Sequence, residues 1–181
     1  MTKDVIEAIL ERRSTRRFKN EQVPMATIGR IIDAARWAPS AGNVQPWEFY
    51  VIYNEKKKYE LASAAANQRF LGEAPVVIVV CAVPEMTAAR YRERGRNLYV
   101  IQDTAAAVQN ILLAAEGYGL GTCWVGSFDE TLVMEALDIP RGTIPVAVVP
   151  VGYAAETNEP PARRPVDEIV RIIEQPDKQQ L

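Results

Sequence analysis

Histidine is missing altogether from the 181 residues. Its absence excludes Ser-His-Asp hydrolysis, a histidine general base and nearly every zinc site, so no metal is expected. Cysteine is scarce. Cys81 and Cys123 are the only two, each inside an apolar run, and they read as inert core thiols of a reducing compartment. An excess of one charge is lacking too. Basic and acidic side chains number 21 and 23, for a net charge of -2. That balance argues against a nucleic-acid surface and against an acidic disordered tail. No apolar run approaches the roughly 20 residues that span a bilayer. The opening Met-Thr-Lys-Asp leads straight into a helical pattern with no signal segment. The expectation is a cytoplasmic protein with no membrane partner. Finally, no Gly-x-Gly-x-x-Gly follows an early strand and no P-loop lysine is present. A nucleotide-type cofactor would need another cradle.

What is present suits one globular domain, residues 1–181, with 48% apolar and 24% charged residues. Val5, Ile6, Ile9 and Leu10 recur at helical spacing and predict a helix over 4–12. Pro24 opens a second, with Ile28, Ile31, Ile32 and Ala35 on one face, which stops before Pro39. Residues 39–46 read as a loop, 47–53 as a strand and 55–66 as a helix. The β-branched run 75–81 predicts a strand buried on both faces. A helix over 97–118 should bury Ile101, Ala105, Val108, Ile111 and Leu112. The glycines at 119 and 121 break it, and a strand through Cys123, Trp124 and Val125 follows. A helix over 129–137 and a strand over 145–151 come next. The proline-rich stretch 153–165 predicts an extended arm followed by a short helix over 166–173, which either wraps a partner subunit or is a frayed tail. The alternation gives an α/β or α+β sandwich.

Arg12, Arg13, Ser14 and Arg16 put three guanidinium groups and a hydroxyl within five residues. The cluster reads either as an anion site or as a solvated helix end. The glycines at 119, 121 and 126 read on their own as turn chemistry. Trp37, Trp47 and Trp124 read as core packing. Residues 84–96, with Arg90, Arg92, Arg94 and Arg96, are the one candidate lid. Their arginines either attract the phosphates of a dinucleotide or form a solvated charged loop.

Four segments read together carry a resemblance. They are Arg12-Arg13-Ser14-Thr15-Arg16-Arg17-Phe18, Ala38-Pro39-Ser40-Ala41-Gly42-Asn43-Val44-Gln45-Pro46-Trp47, Gly119 through Phe128, and Arg163-Arg164-Pro165. In this order and spacing, from Ile6 to Val170, the chain resembles the nitroreductase family, although it is short for that family. The resemblance implies an α+β fold: a central mixed, mainly antiparallel sheet flanked by helices, in a domain-swapped homodimer with one FMN per subunit at the interface. It implies that Arg12, Ser14 and Arg16, with Arg13 close by, hold the FMN phosphate, helped by Arg163 or Arg164. It implies that Pro39, Ser40, Ala41 and Asn43 line the flavin of the partner subunit. Asn67, Gln68 and Arg69 would face the pyrimidine edge, or else form an exposed helix end. Val125, Gly126 and Ser127 would present a backbone amide to flavin N5, where hydride arrives and leaves. The implied activity is ping-pong transfer of hydride from NADH or NADPH to an electron-poor acceptor, a nitroaromatic or a quinone. No side chain is needed as acid or base. Two alternatives stay open. One is a non-catalytic flavin-storage module. The other is a relative that destroys flavin, dehalogenates or dehydrogenates.

Overall fold

The computed structural model describes residues 3–157 and 159–173. Eight helices and four strands are described within them: α1 Val5–Glu11, α2 Met25–Ala35, β1 Trp47–Ile52, α3 Glu55–Ala64, α4 Phe70–Glu73, β2 Val76–Ala82, α5 Pro84–Arg94, α6 Val100–Gly117, β3 Gly121–Thr122, α7 Glu130–Leu137, β4 Ile144–Gly152 and α8 Val166–Ile169. Local chemistry sets several helix starts. Asp4 accepts from the amides of Ile6 and Glu7 at 2.8 and 3.0 Å, and Glu7 reaches back to Asp4, a capping box. Asn54 caps α3 by accepting from the Lys57 amide, and Asp129 caps α7 by accepting from the Leu132 amide.

The sheet runs β1-β2-β4-β3, and every strand pair in it is antiparallel. The parallel component expected of a mixed sheet is reduced to one isolated bridge, Ser14 with Thr122. Successive side chains of β2 face opposite sides, as a strand requires. Val77, Val79 and Cys81 pack with α3, α4 and α7 on one face. Val76, Ile78 and Val80 pack with α2, α6 and the Ala147, Val149 and Val151 row of β4 on the other. The molecule is an α+β sandwich with one sheet between two helical layers. Cys81 and Cys123 are buried free thiols in the first layer, and burial pushes the Cys81 thiol up to about 12.

The strand expected through Cys123, Trp124 and Val125 is shorter than its sequence suggests, and a proline is the reason. β3 pairs Gly121 with Gly152 and Thr122 with Val151, and Val125 pairs with Val148 in the same register. Val125 and Val148 exchange both backbone hydrogen bonds, at 3.0 and 2.9 Å. The next exchanging pair would be Cys123 with Pro150, and proline has no N–H to give. The ladder is therefore interrupted at Cys123 and Trp124. After Val125 the chain leaves the sheet at Gly126.

Other expectations are corrected by the packing. Residues 84–96 are no loop: α5 starts with Pro84 in its first turn and buries Thr87 and Ala88. The chain then reverses at Arg92, a left-handed residue with φ 52°. Gly95 packs so closely on the Thr87 carbonyl that a Cβ would lie 2.5 Å from its oxygen. In α6 the buried stripe is Val100, Asp103, Thr104, Ala107, Val108, Ile111, Leu112 and Ala115, while Ile101 is exposed and Ala105 half-buried. The stripe runs through two polar residues, Asp103 and Thr104, which apolar periodicity alone does not select. Trp37 and Trp124 are exposed, not core. The helix expected over 166–173 forms only at Val166–Ile169, and the rest of the expected arm, 174–181 and residue 158, lies outside the described residues. Among the described residues one helical stretch, Pro84–Gly117, is long and apolar enough to cross a bilayer. It is broken at Arg92, and 44% of its most apolar window is buried in this fold.

Candidate functional site

The segment after α1 is stitched to both the sheet and the arm. Thr15 donates its amide to the Thr122 carbonyl at 2.8 Å, and Ser14 bridges Thr122. Farther along, Lys19 donates to the Tyr153 carbonyl at 2.8 Å and Ala155 donates to the Arg17 carbonyl at 2.9 Å. Gly121 is required here, because a side chain on it would collide with buried Thr15. These bonds hold Arg12, Arg13, Ser14 and Arg16 beside the root of the arm. Together with Pro161 and Arg163 they line a cavity of about 400 Å³. Glu156 and Glu159 share its wall, and Glu156 pairs with Arg17 at 3.2 Å.

The donor set suits a phosphate. Four arginines and a serine line one cavity, and guanidinium forks match phosphate oxygens. Arg13 spends one nitrogen on the carbonyls of Leu10 and Arg12, at 2.7 and 2.9 Å, while its Nε is buried with no hydrogen-bond partner among the described residues. Arg164 stays away from this cavity and pairs instead with Glu168 at 3.4 Å.

Val125, Gly126 and Ser127 follow directly from the strand that holds Ser14 and Thr15. Val125 is buried and fixed to β4, whereas Gly126 is exposed. A Cβ on Gly126 would meet nothing nearer than the Trp124 indole nitrogen at 3.8 Å. A flat ring therefore has room against the backbone. Half-buried Gln68 donates its side-chain amide to the Ser127 carbonyl at 3.4 Å, which brings the 67–69 segment to the same edge. Asn67 takes a left-handed backbone with φ 59°, and its side chain is exposed like that of Arg69.

The loop Pro39-Ser40-Ala41-Gly42-Asn43 is elsewhere in the chain. It is held by α5 and α6 and does not line the arginine cavity. Three arginines of the 84–96 segment are engaged with the protein itself. Arg90 donates to the Gly42 carbonyl at 3.1 Å, Arg94 donates to the Tyr99 hydroxyl at 2.9 Å, and Arg96 pairs with Glu85 and Glu93. Asp103 carries no motif signal. Its one mark in the sequence is a carboxylate where α6 should be apolar.

A family model described as the nitroreductase family matches residues 9–68 and 62–153. An NADH dehydrogenase of Thermus thermophilus is 33% identical, over 92% of this chain and 95% of its own length. The solved structure of a nitroreductase family protein from Streptococcus pneumoniae superposes with a TM-score of 0.86 at 28% identity, covering 93% of this chain and 100% of that one. An NADPH:FMN oxidoreductase from Vibrio harveyi, solved in complex with NAD+, gives a TM-score of 0.85 at 26% identity, over 96% of this chain and 78% of that one. The chain belongs to the nitroreductase family.

Proposed function

We propose that the protein is an FMN-dependent oxidoreductase that uses NADH or NADPH as its hydride donor. The observation that carries this reading is the cavity where Arg12, Arg13, Ser14, Arg16 and Arg163 converge, one strand pairing away from open backbone at Gly126. The relative from Vibrio harveyi, named for NADPH and FMN, supports the choice of ligands.

In this reading the four arginines and Ser14 hold the FMN phosphate. Val125, Gly126 and Ser127 offer backbone to the flavin N5 edge, and Asn67 and Gln68 offer side-chain amides to the pyrimidine edge. Bound there, FMN supplies hydride transfer between the nicotinamide and an electron-poor acceptor, a nitroaromatic or a quinone. The protein's own work is orientation and exclusion of water. A chain with no histidine loses nothing by this, because the reaction asks no side chain to carry a proton.

The second half of the site belongs to a second copy. Val5, Ile6, Ile9 and Leu10 form an apolar face on α1 that stays exposed in the single chain, and Val166, Ile169 and Val170 of the arm are exposed as well. Contiguous apolar surface of this kind marks an interface. A domain-swapped homodimer, with the arm 153–181 around the partner, would cover it and bring the partner's Pro39 loop to the flavin. The cytoplasm is the proposed location, in keeping with two free thiols.

Steady-state kinetics with a quinone and a nitroaromatic test the reaction. Parallel double-reciprocal lines are expected, because donor and acceptor take turns over one ring. Intersecting lines would overturn the ping-pong order.

A further inference from the structure

The loop from Ser40 to Gln45 takes an unfavourable shape and is tied to the body of the protein by two side chains outside the four motifs. Gly42, Asn43 and Gln45 all take left-handed backbone, each with φ 57°, a region that costs a residue with a Cβ. Four hydrogen bonds inside the loop shape it locally: Asn43 amide to Ser40 carbonyl at 2.9 Å, Val44 amide to Ala41 carbonyl at 3.2 Å, Gln45 amide to Ser40 hydroxyl at 3.0 Å and Gln45 side-chain amide to Asn43 carbonyl at 3.1 Å; none of them fixes it to the body of the protein. Two contacts do. Asp103 of α6 accepts from the Ala41 amide at 3.0 Å, and Arg90 of α5 donates to the Gly42 carbonyl at 3.1 Å. Gly42 is pressed against the Arg90 guanidinium and the Tyr91 hydroxyl, so that a Cβ there would lie 2.5 Å from each.

Asp103 is an expensive way to make such a contact. It is 6% exposed, it sits in the apolar stripe of α6, and its second oxygen is buried with no partner among the described residues. An apolar side chain at that position would fill α6's buried face without desolvating a charge. What the carboxylate adds is one acceptor aimed at Ala41. We infer that Asp103 and Arg90 are positioning residues that clamp the Ser40–Asn43 loop from two sides in the shape that meets the flavin. The inference rests on the flavin reading given above.

Two readouts test it: amide hydrogen exchange over residues 38–46, and FMN affinity by quenching of flavin fluorescence. Asp103→Ala removes the acceptor, Asp103→Asn keeps one oxygen for Ala41, and Arg90→Ala removes the second contact at an exposed position. Faster exchange in the loop is expected for Asp103→Ala and Arg90→Ala, with FMN bound roughly 10-fold more weakly, the scale of a charge-assisted hydrogen bond. Asp103→Asn should stay within about 3-fold of the parent on the same scale. The clamp is overturned by parental exchange in both truncation variants, or by an Asn variant as weak as the Ala variant. If Asp103→Ala does not fold, Arg90→Ala and Asp103→Asn decide the matter between them. If the parent protein itself ignores FMN, the flavin reading falls, and loop exchange still shows separately whether the clamp exists.

Discussion

The sheet and the α1 face use the same kind of side chain to opposite ends. Val76 through Val80 of β2 are almost wholly shielded by helices of their own chain. Val5, Ile6, Ile9 and Leu10 repeat at helical spacing, yet Leu10 is 68% exposed, and of α1 only Ala8 is buried. The two central strands of the sheet are covered within one chain. The α1 face is apolar surface that none of the described residues covers. The arginine cavity lies between the two regions, fixed to β3 on one side and to the arm on the other. A site built on that boundary would gain its second wall only through association.

The comparison breaks first at the sheet. Ile78→Ala should cost about 2–5 kcal/mol in denaturant unfolding, since a fully buried side chain leaves a cavity between two packed layers. A loss under about 1 kcal/mol would mean that the sheet is not the sealed core described. Ile9→Asp and Leu10→Asp attack the other region. They should leave the circular dichroism of the fold intact and shift sedimentation from dimer to monomer. The loss is about 1.5–3 kcal/mol of association per apolar side chain removed from the interface. A parental mass for the double variant would take the α1 face out of the interface.

Arg16→Ala sharpens the boundary between the regions. FMN affinity should fall by about 1.5–3 kcal/mol, the worth of a hydrogen bond to a charged group. Excess FMN should restore turnover, because in the proposed reading the arginine anchors the phosphate and does no chemistry. Turnover that stays low in saturating FMN would give the residue another role.

The smallest effect is a matter of pH. Burial pushes the Asp103 carboxyl above its ordinary value of 3.8, and the Ala41 amide only partly holds it down. The fold therefore keeps this proton longer than the unfolded chain does. The stability it brings is present below the ordinary value and is lost as pH rises through the raised one. The melting midpoint of Asp103→Asn relative to the parent should move in favour of Asn as pH is raised from about 3.5 to 7. A difference that does not change with pH would mean that Asp103 titrates as it does in water.

Much of the fold could be read from residue patterns. The β2 run needs burial on both faces, and the Pro24 and Pro39 boundaries follow from backbone sterics alone. Where the reading failed, a partner in space decided the outcome. Pro150 cuts β3 from across the sheet, so nothing in the local run of Cys123, Trp124 and Val125 reveals it. Arginine-rich α5 looks like a solvated loop until Thr87 and Ala88 are seen buried, with Thr87 packed against Gly95. Trp37 and Trp124 have the composition of core residues but lie on the surface. At the site, the Arg12–Arg16 cluster was ambiguous on its own, as either an anion site or a helix end. The fold adds Arg163 to the same cavity, which supports the anion reading proposed above. Asp103 left only a carboxylate in an apolar stripe, a signal whose meaning depends on the loop packed against it.

The central claim is that this chain passes hydride through a bound flavin. Mixing the FMN-loaded protein anaerobically with NADH, and separately with NADPH, and following the visible flavin absorption in a stopped-flow instrument tests it most directly. Bleaching of the yellow band by at least one donor, and its return when a quinone is added, is the predicted result. A band that survives both donors unchanged would contradict the reductase account and leave a protein that only holds FMN.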